Sequence, residues 1–209
     1  DAVNAANERD EIIVKPGIYT ENIEVTTPLT ILSESGNPSD TIIQAADNSK
    51  DVLSIWANEV NIKGFTIIGQ GSAAGIHFYG VADCLVEHNI LSNNSCGIDL
   101  SVFSSGNTLI NNNVSSCLTG ISLGESLNNN VRENSVSHCN SGISLSDSLN
   151  NTLESNTVSE NDEGISLTGE SNGNRLTGNI LKFNSQKGMR IHETSNNLIY
   201  NNYFNNTVN

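Results

Sequence analysis

The tetrapeptide Gly97-Ile98-Asp99-Leu100 returns along the chain at nearly constant spacing. The first glycines of successive copies lie 22, 23, 22, 22 and 24 residues apart. The other copies are Gly75-Ile76-His77-Phe78, Gly120-Ile121-Ser122-Leu123, Gly142-Ile143-Ser144-Leu145, Gly164-Ile165-Ser166-Leu167 and Gly188-Met189-Arg190-Ile191. A fixed period of this length indicates a solenoid, in which each repeat buries its apolar face against its neighbours.

A second pattern keeps the same period: an apolar residue, an asparagine three positions later, and an apolar residue two positions beyond that. Its copies are Val86/Asn89/Leu91, Leu109/Asn112/Val114, Val131/Asn134/Val136, Leu153/Asn156/Val158, Leu176/Asn179/Leu181 and Leu198/Asn201/Tyr203. Each repeat therefore holds three short alternating runs, and alternation predicts strands with one buried face. The sequence predicts an all-β fold, a right-handed single-stranded parallel β-helix with three parallel sheets and about eight coils of 22–24 residues.

The stacking of coils also explains why the chain contains 34 asparagines. Amide side chains at the same turn position of successive coils can hydrogen-bond along the column as an asparagine ladder. One predicted ladder comprises Asn89, Asn112, Asn134, Asn156, Asn179 and Asn201. A second comprises Asn107, Asn129, Asn151, Asn174 and Asn196. We interpret these residues as structural, because asparagine also tolerates the left-handed backbone of tight turns.

We predict that residues 1–209 form one domain. Residues 1–10 would hold a short N-terminal capping helix, Ala2 to Glu8, that covers the exposed strand edges. Residues 11–50 would form divergent first coils and residues 51–209 the regular ones. The abrupt start at Asp1 predicts that a leader precedes it. Because the last repeat is incomplete, we expect further coils, self-association or a partner at the C-terminal end.

Charge and hydropathy exclude two classes of partner. Nine Lys and Arg residues against 23 Asp and Glu give a net charge of −14, which repels nucleic-acid phosphates and anionic membranes. The chain has no apolar run long enough to insert into a bilayer. We therefore expect neither nucleic-acid binding nor membrane insertion. Four N-glycosylation sequons, at Asn93, Asn113, Asn150 and Asn205, fit an extracellular or cell-surface protein.

The opening Ile12-Ile13-Val14-Lys15-Pro16-Gly17-Ile18-Tyr19, the phrase Gly64-Phe65-Thr66-Ile67 and the Gly-Ile-x-Leu repeats resemble the NosD-like β-helix family. This family belongs to a wider group of carbohydrate-binding proteins and sugar hydrolases, called CASH. The chain resembles in particular the asparagine-rich repeat domains of archaeal surface proteins. The resemblance implies the β-helix fold over nearly the whole chain. For function it implies a broad range, from copper-maturation proteins to lyases, epimerases and domains without known activity.

The register of the repeats predicts one candidate site. His77 and Asp99 fall in the same outward column on adjacent coils, and Trp56 and Tyr79 fall beside them. Aromatic faces stack on sugar rings, and imidazole and carboxylate groups hydrogen-bond to hydroxyls. The four residues therefore predict a carbohydrate-binding patch. The alternative is that both aromatic side chains only cover the early coils beneath a loop.

Three further groups of residues have a chemical and a structural interpretation. Glu125 and Asp147 share a turn position on adjacent coils, so they could bind Ca²⁺, but they could equally extend into solvent. Copper is not expected, because the four histidines fall in different columns or distant coils. Cys117 and Cys139 share one column, where a disulfide would be strained, and we expect free buried thiols there.

Three functions remain open at this point. The first is a carbohydrate-binding or matrix-associated surface module. The second is a polysaccharide-acting enzyme of the lyase, hydrolase or epimerase type, whose site is completed elsewhere. The third is a structural spacer or assembly unit. The sequence lacks a clear pair of catalytic groups flanking one position, so for this domain alone we favour binding over catalysis, with no cofactor beyond Ca²⁺.

Overall fold

The computed structural model of the chain describes residues 2–71 and 73–208. Asp1 and Asn209, with which the predicted domain begins and ends, lie outside the described residues. The chain visits three sheets in turn and then returns to the first, so every strand pairs in parallel with the strand three positions later. Eight complete coils result, which confirms the predicted parallel β-helix.

The three sheets, here called A, B and C, run the length of the solenoid. The strands of sheet A are Glu11–Val14, Thr30–Ser33, Asn61–Lys63, Leu85–Glu87, Thr108–Ile110, Asn130–Arg132, Thr152–Glu154, Arg175–Thr177 and Leu198–Tyr200. Those of sheet B are Gly17–Thr20, Thr41–Gln44, Thr66–Ile68, Ile90–Ser92, Asn113–Ser115, Ser135–Ser137, Thr157–Ser159, Ile180–Lys182 and Tyr203–Asn205. Those of sheet C are Ile23–Val25, Leu53–Ile55, Ala74–Tyr79, Cys96–Ser101, Thr119–Gly124, Ser141–Ser146, Glu163–Thr168 and Lys187–Ile191.

A short N-terminal helix, Ala2–Ala5, lies at the end of the solenoid, where Val3 and Ala6 pack against the core. The predicted extension of this helix to Glu8 is wrong. The chain turns at Asn7, because the Asp10 carboxylate accepts a hydrogen bond from the Asn7 N–H at 2.8 Å. A second short element is the 3₁₀ helix Pro38–Asp40.

The core is a continuous apolar column inside the three sheets. In the coils from Gly75 to Leu167 the two apolar residues of the Gly-Ile-x-Leu strand, such as Ile98 and Leu100, are fully buried, whereas in the last copy Met189 is partly buried and Ile191 is exposed. Sheets A and B each add one apolar side chain per coil, such as Val86 and Leu91, which are also fully buried. The repeated pattern therefore marks the inward face of these coils.

The glycine of the repeat is required by a close approach of neighbouring coils. A Cβ atom built on Gly142 would lie 2.5 Å from Cγ1 of Val158 and 2.6 Å from the carbonyl oxygen of Gly164. Real Cβ atoms essentially never approach other atoms so closely. Gly97, Gly120 and Gly164 have the same kind of close contact. The lack of space for a side chain, rather than a left-handed backbone, therefore explains why glycine recurs at this position of the repeat.

Two asparagine ladders are confirmed, and their amides connect one coil to the next. Nδ2 of Asn134 donates to Oδ1 of Asn156 at 3.1 Å, and Oδ1 of Asn134 accepts from Nδ2 and the backbone N–H of Asn112 at 3.0 and 2.9 Å. Nδ2 of Asn134 also donates to the Leu109 carbonyl at 2.9 Å. Each buried amide therefore satisfies backbone groups of its neighbouring coils that no strand pairing reaches.

The predicted register of the last coil is wrong by one residue. Asn202 and Asn197 continue the two ladders, while Asn201 and Asn196 occupy the preceding turn positions with φ angles of 55° and 57°. Two registers fit the sequence pattern, because residues of similar type are doubled in Leu198-Ile199, Asn201-Asn202 and Tyr203-Phe204. Only the hydrogen bonds to the previous coil distinguish them.

Cys117 and Cys139 replace asparagine in a third ladder. Its members are Asn94, Cys117, Cys139, Asn161, Asn184 and Asn206. Both thiols are free and buried, as expected. Each Sγ donates to a backbone carbonyl at 3.3 Å, that of Ser115 for Cys117 and that of Ser137 for Cys139. Each thiol thus fills the ladder position and bonds within its own coil, whereas the amides of Asn161 and Asn184 also donate to neighbouring coils.

Replacing Asn134 by Leu should lower the free energy of unfolding by about 1–3 kcal/mol, because the Asn112 N–H and the Leu109 carbonyl lose buried partners. Asn140→Leu, at an exposed position of the same coil, is the control and should have little effect. Urea unfolding of both variants measures the difference. Equal midpoints for the two would contradict a stabilising ladder.

Replacing Gly142 by Ala should destabilise the protein by about 1–3 kcal/mol, since the new methyl group would overlap the next coil. Gly124→Ala is the matched control, because nothing lies within 4 Å of its Cβ position. We expect Gly124→Ala to be neutral or slightly stabilising. Thermal unfolding of both variants tests the prediction, and a loss of stability at both positions would argue against the steric explanation.

Candidate functional site

The structure places the four predicted site residues together on the outer face of sheet C. His77 and Asp99 pair in register on adjacent strands, and Trp56 directly follows the neighbouring strand Leu53–Ile55. Ile55 pairs with Phe78 on the next coil, so the residues that follow them, Trp56 and Tyr79, also lie one above the other. Sheet pairing alone therefore brings these side chains together.

Three rings form one stack. The centroids of Trp56 and Tyr79 are 3.9 Å apart and their planes differ by 3°, while those of His77 and Tyr79 are 3.8 Å apart at 30°. Tyr79 lies in the middle and covers one face of the indole. Trp56 is 51% exposed, so it is not buried beneath a loop. Sugar binding at Trp56 stays a prediction.

Asp51 holds the stack in place, and the sequence did not indicate it. Its Oδ2 accepts from the Tyr79 hydroxyl at 2.8 Å and lies 3.1 Å from Nδ1 of His77, while its Oδ1 accepts from the backbone N–H of Ala74 at 2.8 Å. The only available signal was its register one coil before Ala74. Beyond Ala74 that column continues with Cys96, Thr119, Ser141, Glu163 and Lys187, a mixed series that does not single out Asp51.

The second ring nitrogen of His77 faces the next coil. Nε2 lies 2.8 Å from Oγ of Ser101 and 3.6 Å from Oδ2 of Asp99. His77 is thus placed between two carboxylates, those of Asp51 and Asp99, and its side chain is only 18% exposed. Its ring orientation is therefore fixed by hydrogen bonds on both sides.

These contacts set the protonation of the two acidic groups. Burial would raise the pKa of Asp51, but hydrogen bonds from His77, Ala74 and Tyr79 outweigh it and hold the pKa below its ordinary value. Burial and the hydrogen bond to Asp51 raise the pKa of Tyr79 to about 12. Near neutral pH the site therefore contains an ionised Asp51 and a neutral phenol.

A cleft of about 330 Å³ lies beside the stack. Trp56, Tyr79, Ser54 and Asp51 line it. The other lining residues are Asn22, Ile23, Glu24, Ser49 and Lys50. In the preceding coil Thr26, which is exposed, follows the strand that pairs with Leu53–Ile55, so register places a small side chain next to Trp56. The half-exposed indole thus forms part of the cleft lining.

Comparison with known proteins gives the family. The family model described as "Periplasmic copper-binding protein (NosD)" matches residues 3–189. The chain belongs to the NosD family. A curated relative, a cell surface glycoprotein of Methanothermus fervidus, is 42% identical over 82 residues, which are 39% of this chain and 13% of the relative. The chain therefore spans a small part of that relative's length.

Two solved structures with the same fold are titled as a pectate lyase and an alginate epimerase. Pectate lyase Pel9A has a TM-score of 0.80 and 13% identity over 99% of this chain and 70% of its own. The periplasmic alginate epimerase AlgG has a TM-score of 0.61 and 17% identity over 88% of this chain and 62% of its own. At these identities the likeness shows the fold alone.

The residues of this NosD-family chain do not fit a copper site. Cu(I) prefers thiol and thioether ligands and Cu(II) prefers imidazole, but the histidines lie apart. His77 lies on sheet C, His88 follows a sheet A strand and His138 follows a sheet B strand. Within residues 2–71 and 73–208, no group of three or more His, Cys, Asp or Glu side chains is arranged to hold a metal ion.

Gly124 pairs with Ser146 on the next coil, so the residues that follow them, Glu125 and Asp147, take equivalent turn positions on adjacent coils. Both are exposed and have left-handed backbones, with φ angles of 50° and 51°. Asp147 already accepts hydrogen bonds from the backbone N–H of Glu170 at 3.0 Å and the Ser146 hydroxyl at 3.1 Å. Calcium binding at this pair stays a prediction.

No helix in the described part of the chain has the length and apolar character needed to cross a membrane.

Replacing Asp51 by Asn should lower the free energy of unfolding by about 1–3 kcal/mol at neutral pH, because a buried acceptor of three hydrogen bonds loses its charge. The folded-state pKa of Asp51 is lowered, so its carboxylate stabilises the protein above the ordinary pKa. This contribution disappears as the pH falls through the lowered value. The difference between variant and wild type should therefore shrink below about pH 4.

Urea unfolding across this pH range, followed by the fluorescence of the single tryptophan, measures the effect. Asp83→Asn is the control, since this carboxylate is exposed in a turn. A stability difference for Asp51→Asn that does not depend on pH would contradict the role assigned to its charge.

Proposed function

We propose that this chain is a carbohydrate-binding module of an extracellular or cell-surface protein, and that a sugar ring occupies the cleft beside Trp56. The observation that carries the proposal is the half-exposed indole, which stacks on Tyr79 and lines a cleft of about 330 Å³. A flat apolar face held rigidly at a cleft wall suits the C–H face of a pyranose ring.

Polar groups at the cleft border supply the hydrogen bonds that a sugar needs. The Ser54 hydroxyl and the Glu24 carboxylate line the cleft beside the indole, while the Asn22 amide is already bonded to backbone groups of Asp47, Lys50 and Asp51. Such groups pair with sugar hydroxyls and fix the orientation of the ring. The serine-rich remainder of the sheet C face, at Ser122, Ser144 and Ser166, offers no second aromatic surface.

The geometry favours binding over catalysis as the function of this site. Both oxygens of Asp51 already accept hydrogen bonds, so its carboxylate acts to position the rings. The raised pKa of Tyr79, about 12, makes its phenol a poor general base near neutral pH. A polysaccharide-acting enzyme stays the alternative, supported by the fold that the chain shares with lyases and epimerases.

The proposed location rests on the same comparisons. The matching family is described as periplasmic, and the curated relative as a cell surface protein. The four sequon asparagines, Asn93, Asn113, Asn150 and Asn205, are all exposed, whereas the internal ladder asparagines are buried. An outward position is what N-linked modification outside the cytoplasm requires.

Replacing Trp56 by Ala should weaken binding to a sugar polymer by roughly five- to thirtyfold, the equivalent of about 1–2 kcal/mol for a stacking aromatic. Trp56→Tyr should retain most of the affinity, because it keeps a ring at the cleft wall. A glycan array identifies the polymer, and calorimetric titration then measures its affinity. Release of new products from the polymer during these titrations would favour the enzyme.

Ser144→Ala is the control, because Ser144 lies in the same outward column but away from the cleft. It should bind as the wild type does. Binding that is indifferent to Trp56, or a chain that binds no glycan but associates as its concentration rises, would remove the site and favour the spacer function.

A further inference from the structure

We infer that the cleft selects its glycan by charge, accepting sugar rings that carry a protonated amino group and rejecting uronates. This inference rests on the proposed function, since it concerns the ligand class of the same cleft. It is carried by the distribution of carboxylates and cations around the exposed indole of Trp56.

Carboxylates surround the ring stack. Glu24 lines the cleft, is exposed and forms no ion pair with any described residue. Asp51 also lines the cleft, with its side chain 11% exposed, and Asp99 lies on the other side of His77. The negative charges of Asp51, Asp99 and Glu24 all act on the Tyr79 hydroxyl and contribute to its raised pKa. Three carboxylates thus lie around the stack, with the His77 imidazole between two of them, in a chain whose net charge is −14.

Cationic groups are scarce at the same place. Lys50 is the one Lys or Arg side chain among the residues that line this cleft. Its charge is partly matched by Asp47, since hydrogen bonds from Ser49 and, to a smaller extent, the charge of Lys50 lower the pKa of Asp47. Lys50 is exposed on a flexible stem and lacks the planar fork with which Arg holds a carboxylate.

A uronate ring stacked on Trp56 would bring its carboxylate close to Glu24 and Asp51, and like charges at short distance repel each other. An amino sugar in the same position would make two favourable interactions. Its ammonium group is attracted to the Glu24 carboxylate, and a cation near the exposed indole interacts favourably with the ring quadrupole. The carboxylates of this cleft therefore do not suit the uronates of pectate and alginate, which the titles of two proteins of the same fold name.

The test uses three oligosaccharides of equal length: a glucosamine oligomer, its N-acetylated form and a galacturonate oligomer. Titration at about pH 6 keeps the amines protonated and the uronates ionised. We expect the glucosamine oligomer to bind several-fold more tightly than the N-acetylated form, and the galacturonate oligomer to bind most weakly. Raising the salt concentration should reduce this preference, because Glu24 is exposed to solvent.

Glu24→Gln should weaken binding of the glucosamine oligomer by roughly three- to fivefold and leave that of the N-acetylated oligomer unchanged. Glu34→Gln is the matched control. It removes the same charge at an exposed turn after a sheet A strand, and should change neither affinity.

The outcomes separate the two proposals. Binding that requires Trp56 but favours the galacturonate or the N-acetylated oligomer would overturn charge selection and leave the carbohydrate site in place. A glucosamine preference that survives in Glu24→Gln would also overturn it. If none of the three oligomers and no array glycan binds in a Trp56-dependent manner, the proposed function itself is wrong.

Discussion

The hydrogen bonds of buried asparagine amides between coils are the interaction on which the rest of this structure depends. Strands of three residues offer few backbone hydrogen bonds, and the sharp turns between them leave N–H and carbonyl groups inside the solenoid without strand partners. Amides such as Asn134 and Asn156 reach these groups in the coils on both sides. They fix the register of each coil relative to the next, and a shift by one residue would turn the apolar side chains outward.

The same register positions the candidate site. Because each residue of sheet C lies directly above its counterpart in the previous coil, an aromatic residue at one position of two successive repeats produces a stack. Trp56 and Tyr79 are such a pair, and the 3° angle between their planes follows from the parallel alignment of the strands. Asp51 then restrains the stack from the side through Tyr79 and His77. A repetitive scaffold thus builds a specific surface from a few departures from its own repeat.

Fold and family constrain the function of this chain without defining it. The family is described by copper binding, yet the thiol and imidazole groups are dispersed, and the cysteines serve as ladder members. Proteins of the same fold are titled as acting on pectate and alginate, yet the cleft beside Trp56 is bordered by Glu24 and Asp51 with Lys50 as its one Lys or Arg. A shared scaffold hosts many functions, so the proposal for this chain rests on the local charges and the exposed aromatic side chain.

The sequence by itself determined the β-helix, its period, the inward residues and most of both ladders, because a solenoid repeats the same local contacts and the repeats are visible as spacing. It also brought Trp56, His77, Tyr79 and Asp99 together, since register alone makes them neighbours. It failed where the repeat is ambiguous, as in the choice between Asn201 and Asn202, and at the end of the N-terminal helix. Asp51, the exposure of Trp56 and the cleft beside it were decided only by the tertiary structure. These features depend on side-chain directions and on the irregular early coils, and neither of these follows the period.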